Sequence, residues 1–591
     1  MFKSYIKIIL LLLSLNICIL SANDFSEGPY GSNFFDIAGP FTVPDLNASF
    51  QGDANIDGII NIQDVILLVN EILGNSTLDD EQFDQADVND DNIIDVLDVV
   101  AVVNKILYPQ LPEWDFEQNW TGNESYIFIQ FDVTVTSSNT LWGSNTNFGD
   151  DLLNISPDNV HYFFISNRTQ YEEDVQQMKD LYDGLLSNLS EEDQQHWSTR
   201  LHFINQKTIN LNNWLEDALN GEYAIAIDPF QRIRQVGYLG NPASFTGTYV
   251  NYLAHEALYF NHELETFSEN GAEYDEFTIF ERTHYTGGWA ASIDGTISIP
   301  TDLSNYNKLE VELLRGCPDA DMNYDDDGCD DYDRIARLYL CDIDGSNCYE
   351  IAKWITPFDR QPHSLTNITP FLSAFRSNPG QEKVLRFQES GWPNSLLTLK
   401  LRFHTGDTSQ GSPQEIYSMW NGTVQFNPDY SDNRPMQIFE IPSDAQKVEF
   451  VSFITGHGWG CTGCYNCAEF CNSRHIFNIN EGIYEFDKSH PTASSNNHCM
   501  QPETIAEGVV PNQYGTWGYG RAGWCPGQDV APYRVDITNH VNLGEPNTID
   551  YDACRVSGNS CITPPTCPGD GCYCPEIAMS SYIVIYNAIA K

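Results

Sequence analysis

The chain has 591 residues, 41% hydrophobic and 13% aromatic, which is ample for several buried cores and excludes global disorder. Its 29 Lys and Arg against 83 Asp and Glu give a net charge of −54. That field repels a phosphate backbone, and with no local basic patch it excludes nucleic-acid binding. Lys3 and Lys7, then the nearly all-apolar stretch from Ile8 to Ile19, then Ser21-Ala22 form the pattern of a secretory signal peptide over 1–22. The apolar run is short for a membrane span, and no later segment has an uninterrupted one, so the sequence predicts an exported chain, secreted or periplasmic, with no membrane span. Cys18 leaves with the signal, and the 15 remaining cysteines all lie at or after Cys317. In an exported protein that clustering predicts disulfides in the C-terminal half, with one cysteine left over.

Residues 53–107 repeat with a period of 34. The first copy offers Asp53, Asn55, Asp57, Asn61 and Asp64 at positions 1, 3, 5, 9 and 12; the second offers Asp87, Asn89, Asp91, Asp95 and Asp98. Oxygen ligands at that spacing, with a backbone carbonyl at position 7, suit a hard calcium ion. Gly58 serves the sharp turn of the first loop, and Asn92 replaces it in the second, since Asn tolerates left-handed dihedrals. Each loop runs into an apolar helix. The pattern resembles a type I dockerin over 48–108. The resemblance implies structural Ca2+ and, more weakly, a cohesin-like partner.

Residues 120–270 read as an α/β domain. Tyr126–Val135 and Val160–Ile165 are predicted strands, Glu172–Leu186 and Leu211–Leu219 predicted helices, and Tyr223–Gly237 a hairpin. This order is similar to a thioredoxin-like domain, but the region has no Cys and therefore no Cys-x-x-Cys for redox chemistry. His255 and His262 are seven residues apart, two helical turns, not the single turn that a zinc-binding His-Glu-x-x-His requires. The expectation there is a helix surface in a linker.

From 276 onward short alternating strands and turn residues replace the helices, as in Leu309–Leu314, Arg337–Leu340, Leu397–Phe403 and Ser581–Tyr586. The length suits two antiparallel jelly-roll-type β-sandwiches, 276–428 and 429–591, with a break near Asn427–Tyr430. Four motifs stand out: Cys317-Pro through Cys329 to Asp333-Arg334; Phe387-Gln-Glu389-Ser-Gly-Trp392; Gly458-Trp459-Gly460 leading to Cys467-Ala-Glu469-Phe-Cys471; and Arg521-Ala-Gly-Trp524-Cys525-Pro. In this order they resemble the peptide-N-glycosidase F family, amidases that cut N-linked glycans from asparagine.

The resemblance implies Asp333 as the principal catalytic acid, Glu469 and Glu389 as further essential carboxylates, and Arg334 and Arg521 at the cleft. Trp392, Trp459 and Trp524 are candidate platforms for sugar rings. It also implies the disulfides Cys317–Cys329, Cys467–Cys471 and Cys499–Cys525. Two departures stand out: Gly391 is an extra residue before Trp392, and Cys461 replaces a family His, leaving His457 as the nearest imidazole.

The chemistry is coherent without a catalytic metal. A carboxylate can deprotonate water, a carboxyl with a raised pKa can hold a proton for the leaving nitrogen, and an Arg can stabilise developing negative charge. The expected function is therefore a secreted hydrolase acting on N-glycosylated proteins or glycopeptides. The rival readings are a non-catalytic carbohydrate-binding β-sandwich protein and an adhesion protein displayed through its calcium module. A cluster of Cys461 and Cys464 with Cys467 and Cys471 has zinc-like spacing, but export and the implied Cys467–Cys471 pairing argue for disulfides.

Overall fold

The computed structural model describes all residues except 1–23, 49–50, 57–58, 90, 108–111, 133–151, 212, 238–251, 269–272, 287, 289–290, 319–320, 325–327, 378, 390–393, 409–410, 460, 569–572 and 588–591. The expected signal segment, Asp57, Gly58 and Trp392 lie outside the described residues. Among those described, no helix is long and apolar enough to cross a membrane. The chain divides into two compact units, Met1–Phe260 and Asn261–Lys591.

In the first unit, the two repeats fold as a helical pair. Helix α1 (Ile62–Ile72) is capped by Asn61, whose side chain accepts from Gln63 N–H while Asp64 accepts from the Asn61 N–H. This capping box stops the helix from extending backwards into the acidic loop. Helix α2 (Asp80–Ala86) connects to α3 (Val96–Leu107), and Ala54, Leu68, Ala86 and Val102 form the small shared core. Asn92 adopts φ +61°, as its place in the second loop requires.

The rest of this unit is a mixed sheet with helices. Strands β1 (Ser125–Gln130) and β2 (Val160–Ile165) are followed by helices α4 (Tyr171–Leu186) and α5 (Glu191–Ser198), then β3 (Leu201–Ile204). The expected helix over 211–219 is the shorter α6 (Trp214–Ala218), started by the Asn213 side chain. Strands β4 (Ala224–Ile227) and β5 (Ile233–Gln235) form the expected hairpin, and the sheet order is β3-β2-β1-β4-β5. β1, β2 and β3 run parallel, and their almost continuous apolar sequences match burial on both faces. The sequence reading missed β3, whose four residues are too few to show a period. On helix α7 (Leu253–Phe267), His255 is buried against Tyr252, not on a surface as expected, and burial pushes its pKa down to about 3.

The second unit is all-β apart from short helical turns. Its strands in chain order are β6 (Tyr274–Tyr285), β7 (Ser292–Ser298), β8 (Tyr306–Gly316), β9 (Ile335–Cys341), β10 (Tyr349–Ile355), β11 (His363–Asn367), β12 (Glu382–Glu389) and β13 (Ser395–Thr405). They form two sheets, β11-β8-β13-β6 and β10-β9-β12-β7. Then follow β14 (Ser412–Gln425), β15 (Gln437–Glu440), β16 (Lys447–His457), β17 (Ser473–Ile479), β18 (Tyr484–Ser489), β19 (Tyr533–Asp536), β20 (Pro546–Ser557) and β21 (Glu576–Asn587). Their sheets are β14-β21-β16-β19 and β15-β20-β17-β18. Because β14 pairs along its length with β21, the change of sandwich falls between β13 and β14, not at 427–430. Those turn residues instead make a corner inside the second sandwich, where buried Tyr430 meets Phe426 and Tyr551. One apolar core joins both sandwiches: Leu338, Ile351 and Phe371 pack in the same cluster as Phe453, Tyr582 and Val584.

Candidate active site

Asp333 is the second residue before β9. Its segment is pinned on both sides. The Arg334 N–H donates to Thr356 Oγ1 at 2.8 Å, the Thr356 N–H donates back to the Arg334 carbonyl at 2.9 Å, and the Cys317–Cys329 disulfide lies just upstream. Asp333 is half-buried. Burial raises its pKa, against the lowering influence of the Arg521 and Arg334 charges.

Glu469 sits in the five-residue ring closed by Cys467–Cys471. Its Oε2 accepts from the Gly458 N–H at 2.8 Å and its Oε1 from Arg521 Nε at 3.1 Å. Gly458 has φ +145°, and a Cβ there would stand 2.7 Å from Pro575, so the conformation that presents this N–H needs glycine. Burial, reinforced by the neighbouring Asp333 charge, pushes the Glu469 pKa up to about 8 in spite of Arg521. The structure thus brings the two carboxyls from separate sandwiches into one electrostatic pair, and a pair of like charges in a dry site favours retention of a proton.

Arg521 does not have the substrate-facing role expected from the sequence. Its Nε serves Glu469, its Nη1 donates to the Trp517 and Tyr519 carbonyls, and its Nη2 reaches the carbonyl and hydroxyl of Thr516. A guanidinium has five N–H donors, and these partners occupy its edge. Arg521 holds Glu469 and supplies charge. Trp524 is likewise a correction: only 6% exposed, it donates its indole N–H to the Gly456 carbonyl, stacks near His457 and lies 4.8 Å beneath the Arg521 guanidinium. It is the backing of the site and not a sugar platform. His457 is buried, with Nε2 2.8 Å from Thr455 Oγ1.

Glu389, expected as a catalytic carboxylate, is fully buried and clamped by Arg315, whose Nη2 lies 2.7 Å from Oε1 and whose Nε lies 3.1 Å from both oxygens. A carboxylate so enclosed cannot touch a substrate, and its place in the site is indirect. The β9–β12 register sets Glu389 opposite Ala336, three residues beyond Asp333. Arg315 Nη1 also reaches Cys317 Sγ at 3.5 Å, and Cys317 is bonded to Cys329 beside Asp330. Asp330 in turn grips Arg334 at 2.9 and 3.2 Å. Glu389 is thus linked through Arg315 and the Cys317–Cys329 disulfide to the segment that carries Asp330 and Arg334. Sequence reasoning missed Arg315 and Asp330: Arg315 lies outside the motifs, with alternation along β8 the only cue that it points inward, and Asp330 lies within the first motif but carried no signal that set it apart from its acidic neighbours.

Among the described residues, Trp459 is an exposed aromatic of the site, 57% accessible, with its ring edge-on to Phe470 beside Glu469. Arg334 keeps part of its side chain open next to the exposed Tyr332 ring. All three disulfides implied by the resemblance are present, together with Cys341–Cys348, Cys554–Cys561 and Cys567–Cys574. The sulfurs of Cys461, Cys464 and Cys567 lie within 4.8 Å of one another, with Cys567 bonded to Cys574, and Cys467 and Cys471 bond to each other, as the argument for disulfides expected.

In the repeat, Asp64 and Asp98 are wholly buried. Asp64 accepts from the Asn55 and Asn61 N–H groups, and Asp98 from those of Val88 and Asp95. Asp87 accepts from Asp91 and Asn92 N–H, and Asp53 is also buried. An oxygen-only donor set with buried carboxylates fits a hard divalent cation.

Two family models match the chain: "Peptide-N-glycosidase F, C terminal" over residues 425–584 and "Dockerin type I domain" over 51–107. The peptide-N(4)-(N-acetyl-beta-D-glucosaminyl)asparagine amidase F of Elizabethkingia miricola is 25% identical over 284 residues, which cover 45% of this chain and 72% of that protein. The solved structure of PNGase F, a glycosylasparaginase from Flavobacterium meningosepticum, aligns with a TM-score of 0.41 and 19% identity over 54% of this chain and 97% of its own. PNGF-II aligns with a TM-score of 0.39 and 14% identity over 53% of this chain and 65% of its own. The chain is a multidomain protein whose C-terminal region is β-sandwich-like. It is a peptide-N-glycosidase F-like protein that carries a dockerin type I module.

Proposed function

We propose that the protein is a secreted peptide-N4-(N-acetyl-β-glucosaminyl)asparagine amidase, which releases intact N-glycans and converts the linkage Asn to Asp. The observation that carries this reading is the Glu469 carboxyl, bonded to the buried Arg521 and the Gly458 N–H, with its pKa raised by burial and by the charge of Asp333.

Asp333, the more open of the two, takes a proton from water as the water oxygen bonds to the side-chain carbonyl carbon. The carbon–nitrogen bond then breaks, its electron pair goes to the sugar-bearing nitrogen, and that nitrogen receives a proton from the carboxyl pair. Glu469, neutral at pH 7, grips the innermost N-acetylglucosamine by hydrogen bonds, and Trp459 packs on the sugar face. The positive charge of Arg521 steadies the negative charge that develops close by, without direct contact. Glu389 is a positioning residue acting through Arg315.

In domain terms, we assign a dockerin-like module to 48–108, a thioredoxin-like domain lacking Cys-x-x-Cys to 120–270, and two jelly-roll-type sandwiches to the remainder, with the boundary moved to about 406–411 to respect the β14–β21 pairing. Asp53, Asn55, Asp57, Asn61 and Asp64, with Asp87, Asn89, Asp91, Asp95 and Asp98, hold Ca2+ in the module, which serves a cohesin-like partner.

Mass spectrometry of a denatured N-glycopeptide after incubation, wild type against Asp333→Asn, tests the proposal. Loss of the whole glycan with Asn converted to Asp, abolished in the variant, is expected. A single sugar left on Asn means an endoglycosidase, and binding without cleavage that survives Asp333→Asn means a glycan-binding protein.

A further inference from the structure

The segment leading into β21 lies directly against the backbone that holds Glu469. The β16–β21 register sets Glu576 opposite His457, and Pro575 touches Gly458, the residue whose N–H binds Glu469 Oε2. Two residues earlier is Tyr573, 54% exposed. Its hydroxyl donates to Glu576 Oε2 at 3.0 Å, which fixes the ring's direction while leaving its faces open. The next residue, Cys574, is bonded to Cys567, and Cys567 Sγ lies 3.6 Å from Cys461 Sγ, so the segment packs against the loop that carries Trp459 and Glu469. Burial and then Glu576 raise the Tyr573 pKa, with a further contribution from the Glu469 charge against the lowering charge of Arg337.

Exposed aromatic rings with one polar anchor are the chemistry of pyranose recognition: the apolar C–H face of the sugar packs on the ring while its hydroxyls reach neighbouring carboxyls. From this arrangement we infer that Tyr573 is a specificity-determining residue, a second aromatic wall that packs, together with Trp459, on the N-acetylglucosamine held at Glu469. The inference rests on the glycan-amidase reading for its substrate class. Tyr573 stands apart from the four motifs, in a cysteine-rich segment.

The test is calorimetric titration of the full chain with the free disaccharide of N-acetylglucosamine, alongside glycopeptide kinetics, for wild type, Tyr573→Ala and Tyr573→Phe. Removal of the ring is expected to weaken disaccharide binding and raise KM about fivefold with kcat within about twofold, as loss of one stacking contact implies. Tyr573→Phe, which keeps the ring, is expected to stay within about twofold of wild type. Equal affinity of wild type and Tyr573→Ala overturns the inference, and so does equal loss in both variants, which would assign the effect to the hydroxyl and Glu576. If wild type binds the disaccharide but releases no glycan, the amidase reading fails while the binding comparison still decides the role of Tyr573.

Discussion

The pKa of Glu469 is the site's most informative single property. Burial is the first cause of its rise to about 8 and the Asp333 charge the second. The sign follows directly: the folded value lies above the ordinary 4.5, so the proton's contribution to stability is fully present below 4.5 and lost as pH rises through about 8. A neutral carboxyl can donate a hydrogen bond to a sugar oxygen, and an ionised one cannot. Affinity for the N-acetylglucosamine disaccharide is therefore expected to fall as pH rises through about 8. In Glu469→Gln, which stays neutral, that fall should vanish, as calorimetric titration across the range will show. A fall unchanged in the variant would assign the titration to another group. Asp333 and Glu469 were singled out in the sequence by the family resemblance, and each stands beside cysteines that fix its backbone. The burial of Trp524 was not, because a Trp next to Cys-Pro reads equally as platform or core. The deciding fact is the carbonyl of Gly456, which meets the indole only once β16 has formed.

At the scale of elements, the acidic repeat was readable almost whole, since its ligand spacing, turn residues and helix starts lie within one local stretch. Buried Asp64 and Asp98 draw several backbone N–H groups towards one centre in each half. Calcium removal by a chelator is expected to cost the helical signal of α1 and α3, as four buried core residues cannot hold these loops against carboxylate repulsion. Circular dichroism reads that loss, and glycan release measured on the same sample should be unchanged. Loss of both together would make the module part of the catalytic architecture. The buried clamp of Glu389 by Arg315 was illegible for the opposite reason. Its two partners are 74 residues apart and meet only through the stacking of two sheets. Removal of either partner alone would strand a buried charge, a defect of about 3–5 kcal/mol.

The whole molecule carries a second pH dependence of opposite sign. His161 and His255 in the first unit, and His457, His475 and His490 in the second, are all buried, and burial lowers each pKa, to about 4 for His161 and about 3 for His255 and His475. An unfolded chain takes up protons at these imidazoles near 6.5, the folded one only well below. Their contribution to stability is thus full above 6.5 and lost as pH falls towards 4 and 3. Set against the raised carboxyls Asp333, Glu469 and Asp529, the five imidazoles are the more numerous and decide the sign. In high salt, where the net charge of −54 is screened, the Tm measured by scanning calorimetry is expected to fall steadily from pH 7 to 5. A flat or rising Tm would show that relief of carboxylate repulsion outweighs the histidines.

The ring closed by Cys467 and Cys471 gives the protein a built-in clock. It spans only the three residues Ala468, Glu469 and Phe470, so the carboxyl that grips the sugar is held rigidly only after that bond has formed. In a chain with these thiols reduced, Glu469 is held by the Gly458 N–H and Arg521 alone. For a chain exported as proposed, the bond that completes its support forms only once the reducing interior has been left behind.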